Sequence, residues 1–180
     1  MPEALRHAPL VRPATAADLP AITAIYRHHV LHGLASFEVE PPDAAEMTRR
    51  FAAIRELGLP YLVAEIDGKI AGYAYAAEYR ARSAYRYTVE DSVYVDIDHV
   101  GLGVGSALMP QLIAGCTAAG RRQIIAVIGD SANLGSIRLH DKFGFQRVGL
   151  LPAVGYKFGR WVDSVLMQRE VGEGQRSPLA

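Results

Sequence analysis

The chain has 180 residues, half of them hydrophobic, which is enough for one well-buried domain and too little for two ordinary ones. Lysine plus arginine equals aspartate plus glutamate at 19 each, so nothing in the charge argues for nucleic acid or an anionic membrane surface, and any bound anion must be held locally. The single cysteine, Cys116, excludes an intrachain disulfide and a cysteine-based metal site, and no apolar stretch approaches the ~18 residues of a membrane span.

The N-terminal "MPEALRHAPL" has no continuous apolar region, so a soluble cytoplasmic protein is the expectation. "LVRPAT" reads as a short strand closed by Thr15, which can cap a helix with Asp18 three residues on. That helix keeps Leu19, Ile22, Tyr26 and Val30 on one face. After "GLASFEVEPP", Asp43 opens a second helix with Met47, Phe51, Ile54 and Leu57 in register, stopped by Gly58 and Pro60. "YLVAEIDGKIAGYAYAAEY" reads as two strands around the hairpin turn "IDGK", and "YRYTVEDSVYVD" as a third. A helix follows with Val104, Leu108, Leu112 and Cys116 on its apolar face and Pro110 inside it, where a kink is expected. The buried-strand run "QIIAVI", a short helix through "NLGSIRLHDKFG" and the strands "FQRVGLL" and "SVLMQREV" complete a single domain over residues 1–170. Residues 171–180 read as a flexible tail.

Between the third strand and its helix lies "HVGLGVGSAL", with glycine at 101, 103 and 105. A strand-to-helix loop presents unpaired N–H groups and the positive end of the helix dipole, and glycine lets an anion approach those amides. A dinucleotide loop would want a third glycine where Leu108 stands, and a P-loop would want a lysine before Ser106. A turn without a ligand and a cradle for the pyrophosphate of coenzyme A are the other readings.

The whole arrangement resembles the GNAT N-acetyltransferase family, whose pyrophosphate loop reads Gln/Arg-x-x-Gly-x-Gly/Ala. Here that loop is Val100 followed by Gly103-Val104-Gly105, without the usual Gln or Arg. The family's Asn-x-x-Ala-x-x-x-Tyr falls on Asn133, Ser136 and His140, followed by "HDKFGF". "ASFEVEPP", "YRYTVEDSVYV", "SIRLHDKFGF" and "VGYKFGRWVDSVLMQR" are similar to the phosphinothricin and methionine sulfoximine acetyltransferase branch. The resemblance implies an α/β (α+β) fold, a mixed and mostly antiparallel twisted sheet with helices on both faces. It also implies acetyl-CoA as co-substrate, no metal, and a homodimer.

On this resemblance Gly101, Leu102, Gly103, Val104, Gly105 and Ser106 cradle the pyrophosphate. Asn133 bonds the pantetheine amides, the small Ser136 lets that arm lie against its helix, and His140 stands where a tyrosine points at the thioester sulfur. The attacking amine must lose a proton, and Glu90 is the candidate base. Its neighbour Asp91 points to the opposite face of the strand, so only one of the two can face the cleft. Backbone N–H groups of Val93, Tyr94 or Val95 would polarise the acetyl carbonyl. Arg80 and Arg82, with Arg86, would grip acidic groups of a small amine substrate, and Phe37, Glu38 and Tyr85 would close over it. Lys157 to Trp161 serve either the pocket rim or a subunit contact. Cys116 has no basic neighbour to activate it, so transfer should be direct. A non-catalytic acyl-CoA-binding module, a polyamine acetyltransferase and a protein N-terminal acetyltransferase are the competing readings.

Overall fold

A computed structural model describes residues 8–177. Seven strands form one sheet: β1 (Leu10–Pro13), β2 (Tyr61–Ile66), β3 (Lys69–Glu78), β4 (Thr88–Val95), β5 (Gln123–Gly129), β6 (Gln146–Lys157) and β7 (Arg160–Glu170), in the order β1-β2-β3-β4-β5-β7-β6. Only β4 and β5 run parallel; the other neighbours are antiparallel. Four helices pack on it: α1 (Leu19–His32), α2 (Ala44–Glu56), α3 (Val104–Ala118) and α4 (Leu134–Lys142).

The predicted faces are buried, save that Leu57, expected on the apolar face of α2, is exposed and Phe51 only partly buried. Leu19, Ile22, Tyr26 and Val30 of α1 and Val104, Leu108, Leu112 and Cys116 of α3 all lie in the core, as do Met47 and Ile54 of α2. Asp67 and Gly68, both at positive φ, make the tight β2–β3 turn that "IDGK" demanded. Thr15 and Asp18 bond reciprocally, with Thr15 N to Asp18 Oδ2 at 2.7 Å, ahead of α1. Pro110 sits on the exposed face of α3, and helical backbone continues on both sides of it from Val104 to Ala118.

Two element boundaries need correction. The third predicted strand begins only at Thr88, since Ser83–Tyr85 form a single tight turn. The last two strands run past "FQRVGLL" and "SVLMQREV" to meet each other: β6 continues through Lys157 and returns as β7 through Phe158 and Gly159, both at positive φ. Past residue 170, where a flexible tail is expected, Val171 is buried against the core and Arg122 donates to Gly174 O and Ser177 Oγ at 3.3 and 3.1 Å.

The decisive feature for function is a seam in the sheet. β4 and β5 pair only from Thr88–Gln123 to Asp91–Ala126, after which Ser92–Val95 and Val127–Gly129 have no partner in each other. The strands diverge there, leaving half of the backbone groups along both edges free to bond something else.

Candidate active site

Glu90 and Asp91 stand at the last paired positions before this opening and point to opposite sides of the sheet, as strand alternation requires. Glu90 lines a cavity of about 410 Å³ on the α1 side, shared with Tyr26, Phe37, Glu38, Tyr75 and Tyr94. Burial, and secondarily the charge of Asp91, push the Glu90 carboxyl up to about 7. A carboxylate tuned to neutrality in a cavity is poised to take a proton.

The wall of the cavity is the loop after α1. Tyr26 Oη bonds Ser36 Oγ and Glu38 Oε1 at 2.9 Å each, and Arg50 Nη1 bonds the same Glu38 oxygen at 2.6 Å. Glu38 is therefore neutralised by Arg50, and Glu90 is the one carboxylate left uncompensated there among the lining residues. Lys157, 3% exposed, reaches in from β6 and donates to Gly33 O at 2.9 Å and Ser36 O at 2.6 Å, pinning the loop to the β6–β7 hairpin. Phe37 lies against Gly155 so closely that a Cβ there would sit 2.4 Å from the ring. Within the "YKFGRW" stretch Lys157 supports the pocket wall, while Tyr156, Phe158 and Trp161 are exposed.

Asp91 faces the α4 side, where its Oδ2 meets His140 Nε2 at 2.9 Å. Both side chains are almost fully enclosed, and Asp91 Oδ1 has no hydrogen-bond partner. His140 Nδ1 donates to Ser136 O at 2.8 Å and lies 3.4 Å from Ser136 Oγ. Burial acts against the imidazolium, but the bond and charge of Asp91 outweigh it, and the His140 pKa is raised. This corrects the expected orientation: both ring nitrogens are engaged inside the protein, so His140 does not present a free N–H to the opening. The imidazole is shorter than a tyrosine, and Asp91 draws it inward. Ser92, Val93, Tyr94, Asn133, Ser136 and His140 enclose a small cavity of about 50 Å³ with Asp91 at its floor, at the mouth of the seam.

A groove of about 540 Å³ leads from there past Val93, Tyr94, Val95 and Ser136 to the glycine loop. Gly101 and Gly103 take φ of +82° and +81°, and open space lies where their Cβ atoms would be. The first bond of α3 runs from Ala107 N to Gly103 O at 2.9 Å, which leaves the amides of Val104, Gly105 and Ser106 without a helical acceptor. Free amides at a helix N-terminus suit an anion, and Lys142 Nζ, 3.2 Å from Ser106 Oγ, adds a cation where the exposed Val100 adds none. Leu102 packs partly buried under the loop. Gly105 also lies against α4: a Cβ there would sit 2.9 Å from the Leu139 side chain. Asn133 Oδ1 caps α4 by accepting from Ser136 N at 3.2 Å.

These features form one continuous path: a helix N-terminus with free amides, a groove, a gap between two strands and a carboxylate beyond it. A model of the acetyltransferase (GNAT) domain matches residues 11–166. The chain belongs to the GNAT acetyltransferase family. It is 56% identical over 172 residues to a phosphinothricin N-acetyltransferase of Alcaligenes faecalis, covering 96% of this chain and 87% of that one. It is 41% identical over 163 residues to an L-methionine sulfoximine/L-methionine sulfone acetyltransferase of Salmonella typhimurium, covering 91% and 95%. The crystal structure of a GNAT phosphinothricin acetyltransferase from Sinorhizobium meliloti in complex with AcCoA superposes with a TM-score of 0.93 at 47% identity, covering 97% of this chain and 94% of that one.

Sequence reasoning brought Glu90, Phe37, Glu38 and Ser136 to the site but missed Tyr26, Tyr75, Arg50 and the Asp91–His140 pair. Tyr73 and Tyr75 alternate in "GYAYA", a signal for one aromatic face of β3, whereas Arg50 pairs across 12 residues of chain with no periodic signature. Arg80, Arg82 and Tyr85 are absent from the lining of the Glu90 cavity. Arg80 is exposed and stacks over the rings of Tyr79 and Tyr85 at 5.1 and 5.6 Å.

Proposed function

We propose that the chain transfers the acetyl group of acetyl-CoA directly to the amine of a small amino-acid analogue of the phosphinothricin or methionine sulfoximine type. The observation that carries this reading is Glu90, held near neutrality at the end of the paired part of β4, where the groove from the phosphate cradle meets the acceptor cavity. Gly103 and the amides of Val104, Gly105 and Ser106 hold the pyrophosphate. Val93, Tyr94 and Val95 offer backbone groups to the pantetheine arm and the thioester carbonyl. Glu90 takes the amine proton, directly or through water, and the now neutral amine attacks.

β3 pairing sets Ala77 opposite Glu90, so the connection carrying Arg80, Arg82 and Tyr85 overhangs the end of the sheet where Glu90 stands. Arg80 and Arg82 there grip the acidic groups of the acceptor, and Phe37 closes over it from the other side. A polyamine site would want several free carboxylates, and the pairing of Glu38 with Arg50 argues against one. Two copies meet through β6, an edge strand of 12 residues with Val148, Leu150, Leu151, Val154 and Tyr156 between 41% and 60% exposed.

The test is thiol release from acetyl-CoA with phosphinothricin, methionine sulfoximine, spermidine and a short peptide in parallel. Release with the first two is expected. Release only with spermidine or the peptide would reassign the acceptor, and acetyl-CoA binding without release for any amine would make the chain a binding module.

A further inference from the structure

The leaving sulfur needs a proton as the amine displaces it, and the structure denies His140 direct access to that sulfur. The Ser136 carbonyl can only accept, so Nδ1 carries a proton. Nε2 faces a carboxylate oxygen at 2.9 Å, so a second proton lies between His140 and Asp91. The ring is enclosed, with its side chain 5% exposed. One hydroxyl connects this charged pair to the groove: Ser136 Oγ, half-buried, lies 3.4 Å from Nδ1 and lines both the groove and the small cavity at the seam.

We infer that Ser136 is a catalytic residue that hands its hydroxyl proton to the departing sulfur, with His140 and Asp91 as the proton store behind it. The inference rests on the acetyl-transfer reading above. As the C–S bond breaks, its electron pair remains on sulfur. Ser136 Oγ–H gives its proton to that sulfur, and His140 Nδ1–H, swinging its bond from the Ser136 carbonyl to Oγ, replaces it. His140 is left neutral with its Nε2–H on the Asp91 carboxylate. Glu90 meanwhile gains the proton the amine loses, so one proton is taken up and one given, and exchange with water resets both groups.

The spacing that makes this possible is helical. Residues four apart on α4 share a face, so Ser136 stands one turn before His140, and the Asn133 cap fixes that turn. Asp91 reaches the pair from β4 because it is the strand neighbour of the base and points the other way. Two adjacent carboxylates on one strand therefore serve the two proton movements of one reaction, each from its own face.

The experiment compares wild type, Ser136→Ala, His140→Gln and the double variant, reading kcat, KM for acetyl-CoA and acetyl-CoA affinity by calorimetry. We expect Ser136→Ala to lose at least tenfold in kcat, with acetyl-CoA affinity within about twofold of wild type. The double variant should be no slower than the worse single variant, since groups acting in series fail as a unit. A wild-type kcat in Ser136→Ala, or penalties that multiply in the double variant, would overturn the relay and leave Ser136 as a surface the ligand merely touches. If His140→Gln does not fold, the split between kcat and affinity in Ser136→Ala decides alone. Wild type that binds acetyl-CoA but releases no thiol would sink the acetyl-transfer reading instead, an outcome separate from either of these.

Discussion

Replacing Glu90 by glutamine should make the protein less active and more stable at once. Its carboxyl is raised from an ordinary 4.5 to about 7, mainly by burial. The folded state therefore binds a proton more tightly than the unfolded chain, so stability is fully present below about pH 4.5, declines as pH rises, and is lost in full above about pH 7. At 1.36 kcal/mol for each tenfold change in proton affinity, discounted for the part of the side chain that water reaches, the penalty at pH 8 is about 2–3 kcal/mol. Glutamine has the same shape and no charge, so Glu90→Gln should recover most of that at pH 8 and almost none at pH 4.5. Urea unfolding at the two pH values measures it, with the slope checked for constancy. In the same variant kcat/KM at neutral pH should fall by about 10²–10⁴ and recover in part at high pH, where the amine arrives already deprotonated. The wild-type profile should rise through about pH 7. Equal stabilities at pH 8, together with a flat wild-type profile between pH 6 and 8, would refute both the burial argument and the assignment of the base.

Other changes test other parts of the path. Gly103→Val forces a branched side chain into a φ of +81° and into the space above the α3 amides, so the acetyl-CoA dissociation constant should rise at least about tenfold, roughly 1.4 kcal/mol, by calorimetry. Arg80→Ala should raise KM for an acidic acceptor far more than KM for acetyl-CoA, and Arg80→Lys should recover only part, since lysine lacks the planar fork. Lys157→Met removes both bonds to the loop after α1 and should raise the acceptor KM several-fold while acetyl-CoA affinity stays put; equal effects on both would mean the hairpin does not support the pocket.

What the sequence made legible follows a physical rule. Strand alternation separated Glu90 from Asp91, the apolar faces of α1 and α3 were periodic, and Asp67-Gly68 carried its own turn conformation. Those signals are local. The partner of Asp91 is 49 residues away and the partners of Lys157 more than 120, and no spacing announces such pairs. At Gly105 a missing side chain can mean a ligand or a neighbouring helix, and the closeness of Leu139 of α4 is a contact that no local pattern announces. The arginines near residue 80 read as one cluster; Arg80, Arg82 and Arg86 are all exposed, on either side of the turn at Ser83–Tyr85, and no local pattern says which cavity they overhang.

The short pairing of β4 with β5 has a thermodynamic consequence. Four residue pairs are all that stitch the β1–β4 half of the sheet to the β5–β7 half at this boundary, and beyond them Ser92–Val95 and Val127–Gly129 do not pair with each other. An extended ligand with amides of its own, laid in the gap, acts as a surrogate strand and restores the bonds the polypeptide omits. Amide hydrogen exchange should therefore be fastest along this boundary in the free protein and should slow on both of its sides together when the gap is filled. Stability gained on binding would then be shared by two halves of the molecule that the chain alone joins only loosely.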